Sequence, residues 1–274
     1  QKKPLVTVVI PTKNNYHKLK RCVDSFTSLT NYQNYSLLII DNGSDHLDSL
    51  NYLDIISKQH KVIRYTKPFN HSAINNFAVT NYQSDLYLFL NDDTEVIENQ
   101  WLTEMVQCSM FNEVGVIGCK LLYPSRRVQH AGVIVGIGDF AGHAFKHLEA
   151  NSDTMGCRLN LKQNYSAVTA ACMLVKQNIF KSVGGFNEKD LPTSYNDVDL
   201  CLRIGEAGFK VLYTPCTLIH HESATRGYPT TLEEKFTEEK AVKFMRKNWE
   251  KYFENDPNYN PNLTKIKEDF SLAL

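Results

Sequence analysis

Leu86-Tyr-Leu-Phe-Leu90, followed at once by Asn91-Asp-Asp-Thr-Glu95, decides the reading of this chain. Five successive apolar residues fit a strand buried on both faces, and the abrupt change to acids marks its carboxyl exit. Two earlier runs behave alike. Leu5–Ile10 ends in Pro11-Thr12-Lys13-Asn14, and Ser36–Ile40 ends in Asp41-Asn42-Gly43-Ser44-Asp45. Between these runs lie helix-favouring segments from Asn15 to Leu29, after Asp45 and over Ser72–Asn81, with a further short strand at Val62–Tyr65. That alternation predicts an α/β architecture, a parallel sheet covered by helices, in which ligands bind beyond the carboxyl ends of the strands.

Further along, Gly115 to Val175 is glycine-rich and strand-like, which predicts an antiparallel extension. A helix is expected from Lys176 to Val183, stopped by Gly184-Gly185, then a helix over Asp197–Ala207 and a strand over Lys210–Tyr213. Leu232–Phe253 reads as a charged C-terminal helix, and Asp256-Pro257 ends it. One domain over 1–274 is expected, divided into a nucleotide-binding half (1–95), a metal and acceptor half (96–230) and a helical tail (231–274).

Composition narrows the function. The 274 residues, 42% hydrophobic, can bury a large core. Thirty Lys+Arg balance thirty Asp+Glu, which argues against a general nucleic-acid binder. The weakly polar stretch Ala131–Gly142 is too short to span a bilayer and Gln1-Lys2-Lys3 opens no apolar signal core, so a cytoplasmic protein is expected. Seven scattered cysteines form no Cys-x-x-Cys pair and read as small core residues. The start directly before the first strand is expected of a domain with neighbours in a longer chain.

Several polar residues carry candidate chemistry, each with a plainer alternative. Asp92 and Asp93 repel one another and suit a divalent cation such as Mn2+ or Mg2+ bridging to phosphates, or else they form an acidic turn. Asp41 could accept from a pyrimidine N–H or a ribose hydroxyl, or close an Asx turn. Asn75 and Asn76 read as base or sugar contacts or as surface amides. Asp197 and Asp199 open a helix, whose dipole keeps a carboxylate ionised for general-base work, or they cap it. His220 or His221 could complete a metal site with Asp93, and Arg226 could clamp a diphosphate. Gly136-Ile-Gly138-Asp-Phe-Ala141 formally matches a dinucleotide fingerprint but lacks the required helix.

The ordered succession Val8-Val-Ile-Pro-Thr-Lys-Asn14, Ile39-Ile-Asp-Asn-Gly-Ser44, Pro68-Phe-Asn-His-Ser-Ala-Ile-Asn-Asn76, Phe89-Leu-Asn-Asp-Asp-Thr-Glu95, Val183-Gly-Gly-Phe186, Tyr195-Asn-Asp-Val-Asp-Leu-Cys-Leu-Arg203 and His220-His-Glu-Ser-Ala-Thr-Arg-Gly227 closely resembles the family 2 glycosyltransferases of GT-A fold. It is most similar to the bacterial branch that builds O-antigen and capsule polysaccharides. The resemblance implies a Rossmann-like, mostly parallel sheet flanked by helices, with a smaller antiparallel extension and a C-terminal helix. It implies an inverting, Mn2+- or Mg2+-dependent transfer from a nucleotide-activated sugar to a growing surface glycan, with a lipid-linked acceptor at the inner membrane face among the options; Asp41 suits a pyrimidine, so a UDP- or dTDP-sugar is favoured. Pro11, Thr12, Asn14, Asp41, Asn76, Asp92 and Arg226 would bind donor. Asp93 with His220 or His221 would hold metal, and Asp197 would be the catalytic base. His130, Thr169, Asn196 and Asp199 would meet acceptor or sugar. Asn91 and Asn196 stand where relatives often carry acids, which leaves a non-catalytic nucleotide-sugar or glycan-binding module of a larger synthase as the alternative. A sugar nucleotidyltransferase would need a Gly-rich basic loop where Pro11-Thr-Lys-Asn14 stands.

Overall fold

A computed structural model describes residues 3–221 and 231–273 of the chain. The first strand, β1 (Val6–Thr12), leads into helix α1 (Tyr16–Leu29), and the unit repeats through β2 (Tyr35–Asp41), α2 (Leu47–Ser57), β3 (Lys61–Arg64), α3 (His71–Asn81) and β4 (Leu86–Leu90). β1 pairs in parallel with both β2 and β4, and β2 with β3, so these strands end on one edge of the sheet. All seven residues of β1 and all five of β4 are buried, as a sheet covered on both faces demands. Leu19, Cys22, Val23 and Phe26 form the buried stripe of α1, at the 3–4-residue spacing of an amphipathic helix.

The short β5 (Thr94–Val96) and α4 (Trp101–Ser109) lead to β6 (Val114–Leu122) and the brief β7 (Val128–His130). β8 (Val133–Val135) and β9 (Ala141–His143) form a separate antiparallel pair. The one-turn α5 (Thr154–Cys157) and β10 (Gln163–Tyr165) precede β11 (Cys172–Lys176), which runs antiparallel between β4 and β6. α6 (Gln177–Ser182), α7 (Asn196–Glu206), β12 (Lys210–His220) and α8 (Leu232–Glu254) complete the described elements. The main sheet reads β10-β12-β6-β11-β4-β1-β2-β3, with β5 on β12 and β7 on β6.

The expected α/β architecture, its antiparallel extension and its C-terminal helix are all present. One element is longer than its sequence predicts: the strand after α7 runs to His220 instead of stopping at Tyr213. Pro215 has no N–H for the ladder, and the strand absorbs it in a register shift between Thr214 and Thr217 before resuming against β6. The Gly136 motif forms a 3-10 turn over Ile137–Asp139 with Gly138 at φ 58°, so no helix follows those glycines. Six of the seven cysteines are buried and all are free. No helix among the described residues is long and apolar enough to cross a membrane.

Candidate active site

The acidic exit of β4 is held from two sides. Thr12, the last residue of β1, donates its hydroxyl to Asp92 Oδ2 at 2.7 Å. Asp93 is buried, and its Oδ1 lies 3.0 Å from Nε2 of His220, the last residue of β12. His220 Nδ1 in turn lies 2.7 Å from Gln129 Oε1 on β7. An amide carbonyl can only accept, so the Nδ1 proton is held there and the Nε2 lone pair faces a carboxylate oxygen. Two acceptors at that separation repel unless a proton or cation joins them. A carboxylate oxygen and an imidazole nitrogen each about 2.1 Å from one cation would stand about 3 Å apart, so the pair fits a divalent metal in both chemistry and spacing. Asn91 Nδ2 also approaches Nε2 at 3.3 Å, and Gln129 Nε2 is a buried donor with no partner among the described residues. Among the described residues no three His, Cys, Asp or Glu side chains form a metal cluster. A cation at Asp93 and His220 would therefore complete its shell with phosphate oxygens and water.

His221 takes no part in this pair. Its Nε2 lies 2.6 Å from Glu95 Oε2, and Arg21 Nη1 approaches its ring at 3.2 Å, while its backbone N–H donates to Asp93 O at 2.7 Å. Successive residues of a strand face opposite ways, so the one-residue step from His220 sends this ring to the α1 side.

Asp197 sits in the first turn of α7, behind Tyr195 in left-handed backbone at φ 60°. Its Oδ2 accepts from Ala170 N at 3.0 Å and its Oδ1 from Val198 N at 2.9 Å. Burial pushes this carboxyl above its ordinary range, opposed by those amides and the Thr169 hydroxyl. Ala171 O accepts from Asn91 N at 3.0 Å. The segment Thr169-Ala170-Ala171 thus ties the aspartate on α7 to the acidic exit of β4.

Other expected ligand contacts are internal. Asp41 is buried, accepts from Ser44 N, three residues on, at 2.9 Å and pairs with Arg64 Nη1 at 2.8 Å, so its carboxylate braces the loop after β2 and holds an ion pair. Asn14 clamps the loops after β1 and β2, accepting from Asp45 N at 2.9 Å and donating to Asp45 Oδ1 at 2.7 Å. Pro11 is buried within β1. Asn76 is spent on the loop after Gly185: it donates to Phe186 O and Glu188 Oε1, both at 2.8 Å, and accepts from Phe186 N at 2.9 Å. Asn196, buried, donates to Ser72 Oγ at 3.0 Å and so pins α7 to α3. Asp199 is also buried: Arg203 Nε donates to its Oδ2 at 2.9 Å and the Trp249 indole to its Oδ1 at 3.0 Å, which anchors α8. His130 is enclosed, its Nε2 accepting from Gly132 N at 3.3 Å and Thr169 N at 3.5 Å. Asn76, His130, Asn196 and Asp199 thus each hydrogen-bond within the protein. Arg226 lies outside the described residues.

Sequence reading missed Gln129 as the partner of His220 and Arg64 as the partner of Asp41. Strand alternation could have signalled the first, since Gln129 and His130 must face opposite ways. No local signal marks the second.

The sequence pattern of glycosyl transferase family 2 matches residues 7–184. The chain is 43% identical to the uncharacterized protein y4gI of Sinorhizobium fredii, over 98% of this chain and 30% of that protein. It is 36% identical to the O-antigen biosynthesis protein RfbC of Myxococcus xanthus, over 98% of this chain and 21% of that protein. The chain thus spans less than a third of these relatives. Among solved structures, it superposes on GalNAc-T7 with UDP, GalNAc and Mn2+ at a TM-score of 0.72 and 15% identity, covering 92% of this chain and 49% of that one. With the mannosyltransferase PcManGT of Pyrobaculum calidifontis, in complex with GDP-Man and Mn2+, the TM-score is 0.62 at 14% identity, covering 83% and 59%.

Proposed function

The chain belongs to glycosyl transferase family 2, and on that premise we propose that it moves a sugar from a UDP- or dTDP-linked donor to a hydroxyl of a growing surface glycan, inverting the anomeric carbon. The observation that carries this reading is the link between Asp197 and the Asp93–His220 pair through Thr169-Ala170-Ala171. A carboxylate and a cation-holding pair at one sheet edge are what in-line displacement of a diphosphate needs. The O-antigen relative favours a glycan acceptor, and Asp41 at the exit of β2 is the residue suited to a pyrimidine base.

Asp197 acts as the general base. Its two oxygens are aimed by the Ala170 and Val198 amides, and its raised proton affinity suits removal of a hydroxyl proton as the acceptor oxygen attacks. Asp93 and His220 would hold Mn2+ or Mg2+, which when bound supplies positive charge to the departing diphosphate. Gln129 orients the His220 ring so that Nε2 faces Asp93. Thr12 holds Asp92 at the rim of the same exit. A base within hydrogen-bond reach commonly contributes about a hundredfold to ten-thousandfold in rate.

The test is calorimetric titration of the protein with UDP, dTDP and GDP, each with manganese and with chelator. Metal-dependent binding of one pyrimidine diphosphate, followed by slow hydrolysis of its sugar nucleotide, is the expected result. Binding without any hydrolysis or transfer would favour a non-catalytic donor-binding module, and no binding at all would refute the donor site.

A further inference from the structure

Buried His130 and half-buried His143 form a ring pair on β7 and β9 that the proposed transfer does not use. Their Nδ1 atoms are 2.8 Å apart, with ring centroids at 5.0 Å and planes at 81°. Two neutral imidazoles can approach so closely only if one Nδ1 carries the proton and the other accepts it. The structure says which. His130 Nε2 accepts from two backbone amides, Gly132 N and Thr169 N, so in the neutral ring its proton must sit on Nδ1. That proton is donated to His143 Nδ1, and the single proton of a neutral His143 is then forced onto Nε2.

Both rings are held neutral. Burial pushes His130 well below the usual imidazole range and His143 down to about 4, and the nearby His220 acts on each in the same direction. His143 is only half-buried, its Nε2 has no hydrogen-bond partner among the described residues, and that atom is not shut off from solvent. The result is a neutral N–H donor of fixed orientation, tied through His130 to Thr169, next to the Ala170 amide that holds Asp197, and to Gln129, one residue along β7, which holds His220.

We propose that His143 Nε2–H donates to a hydroxyl of the donor's sugar and so takes part in choosing that sugar, with His130 as the positioning residue that fixes its tautomer. The substrate part rests on the glycosyltransferase reading; the tautomer part does not. A neutral donor suits this place, because an imidazolium there would also attract the diphosphate and blur the choice between sugars.

Two measurements test the proposal separately. Long-range 15N–1H NMR of the histidine side chains in wild-type protein should show His130 protonated on Nδ1 and His143 on Nε2; the opposite tautomer of His143, or an imidazolium at neutral pH, would overturn the proposal whatever the protein binds. Calorimetry then compares UDP or dTDP with UDP-glucose, UDP-N-acetylglucosamine and dTDP-rhamnose, with manganese present. His143→Leu should lose roughly ten- to hundredfold in affinity for the preferred sugar nucleotide while keeping its affinity for the bare diphosphate. His143→Gln, which restores an N–H near the Nε2 position, should recover most of the loss. Equal weakening of diphosphate and sugar nucleotide, or no weakening of either, would refute the sugar contact. Failure of wild type to bind any of these probes would count against the glycosyltransferase reading and leave the tautomer result standing.

Discussion

Removing the carboxylate of Asp199 separates anchoring from acceptor binding. In Asp199→Ala, Arg203 loses the oxygen that lies 2.9 Å from Nε and 2.8 Å from Nη2, and the buried Trp249 indole loses its acceptor at 3.0 Å. Breaking a buried ion pair by deleting one partner costs about 3–5 kcal/mol. The Arg203 side chain keeps 25% exposure and its bond to Val183 O, so it rehydrates in part and the lower figure applies. An unsatisfied indole N–H adds about 1 kcal/mol. The total of about 4 kcal/mol corresponds to a fall in Tm of roughly 7 °C for a chain of this size. Asp199→Asn keeps an acceptor for Trp249 and should fall by roughly 5 °C. Thermal unfolding followed by circular dichroism reads both values. Tryptophan emission should shift in the Ala variant, because Trp249 is one of only two tryptophans. If the Ala variant melts within about 2 °C of wild type, Asp199 does not anchor α8 and the acceptor-contact reading returns.

The same geometry sets further outcomes. Asp197→Asn should bind donor diphosphate normally yet lose at least about a hundredfold in transfer, measured as product formed per enzyme. Because burial raises the proton affinity of Asp197, the folded protein holds that proton to higher pH than the unfolded chain, so the charged form costs stability above its pKa. Asp197→Asn should therefore gain in Tm relative to wild type at neutral pH, with the gain shrinking as pH falls through that raised pKa; a gain that grows on acidification would reverse the sign argued here. His220→Ala and Asp93→Ala should abolish manganese-dependent binding in calorimetry, whereas His221→Ala, bonded to Glu95, should retain it. Gly185→Ala should destabilise by about 2–3 kcal/mol in chemical denaturation, since φ is 71° and the new Cβ would lie 2.6 Å from Asn76 Oδ1; Gly184→Ala, at φ 83° but in open space, should cost only about 1 kcal/mol.

The strand exits are legible in sequence because a buried parallel strand is an unbroken apolar run, and the residues just after it must turn outward. Positions 12, 92, 93, 197 and 220 can be picked out on that basis and by resemblance. Sequence does not show which polar side chains are consumed by distant partners. Asn76 meets Phe186 110 residues away, Asp199 meets Trp249 50 residues away and Asp41 meets Arg64 across a neighbouring strand. An amide or carboxylate that braces two elements has the same composition signal as one that binds a ligand; only the register of the sheet distinguishes them. The full length of β12 is hidden for a related reason: a proline ends a strand locally, yet pairing on both sides carries this one through.

The position of β12 has a consequence for how the protein is made. Among the described elements only α8 follows it, yet it lies inside the sheet, between β6 and β10, and it delivers His220. During translation β6, all nine of its residues destined for burial, waits with the edge meant for β12 open while about ninety further residues are added, a delay on the order of ten seconds. An open apolar strand edge recruits other chains. The ribosome-bound intermediate is thus the aggregation-prone species, and a gene fragment stopped at residue 184, where the family pattern ends, would keep that edge open permanently.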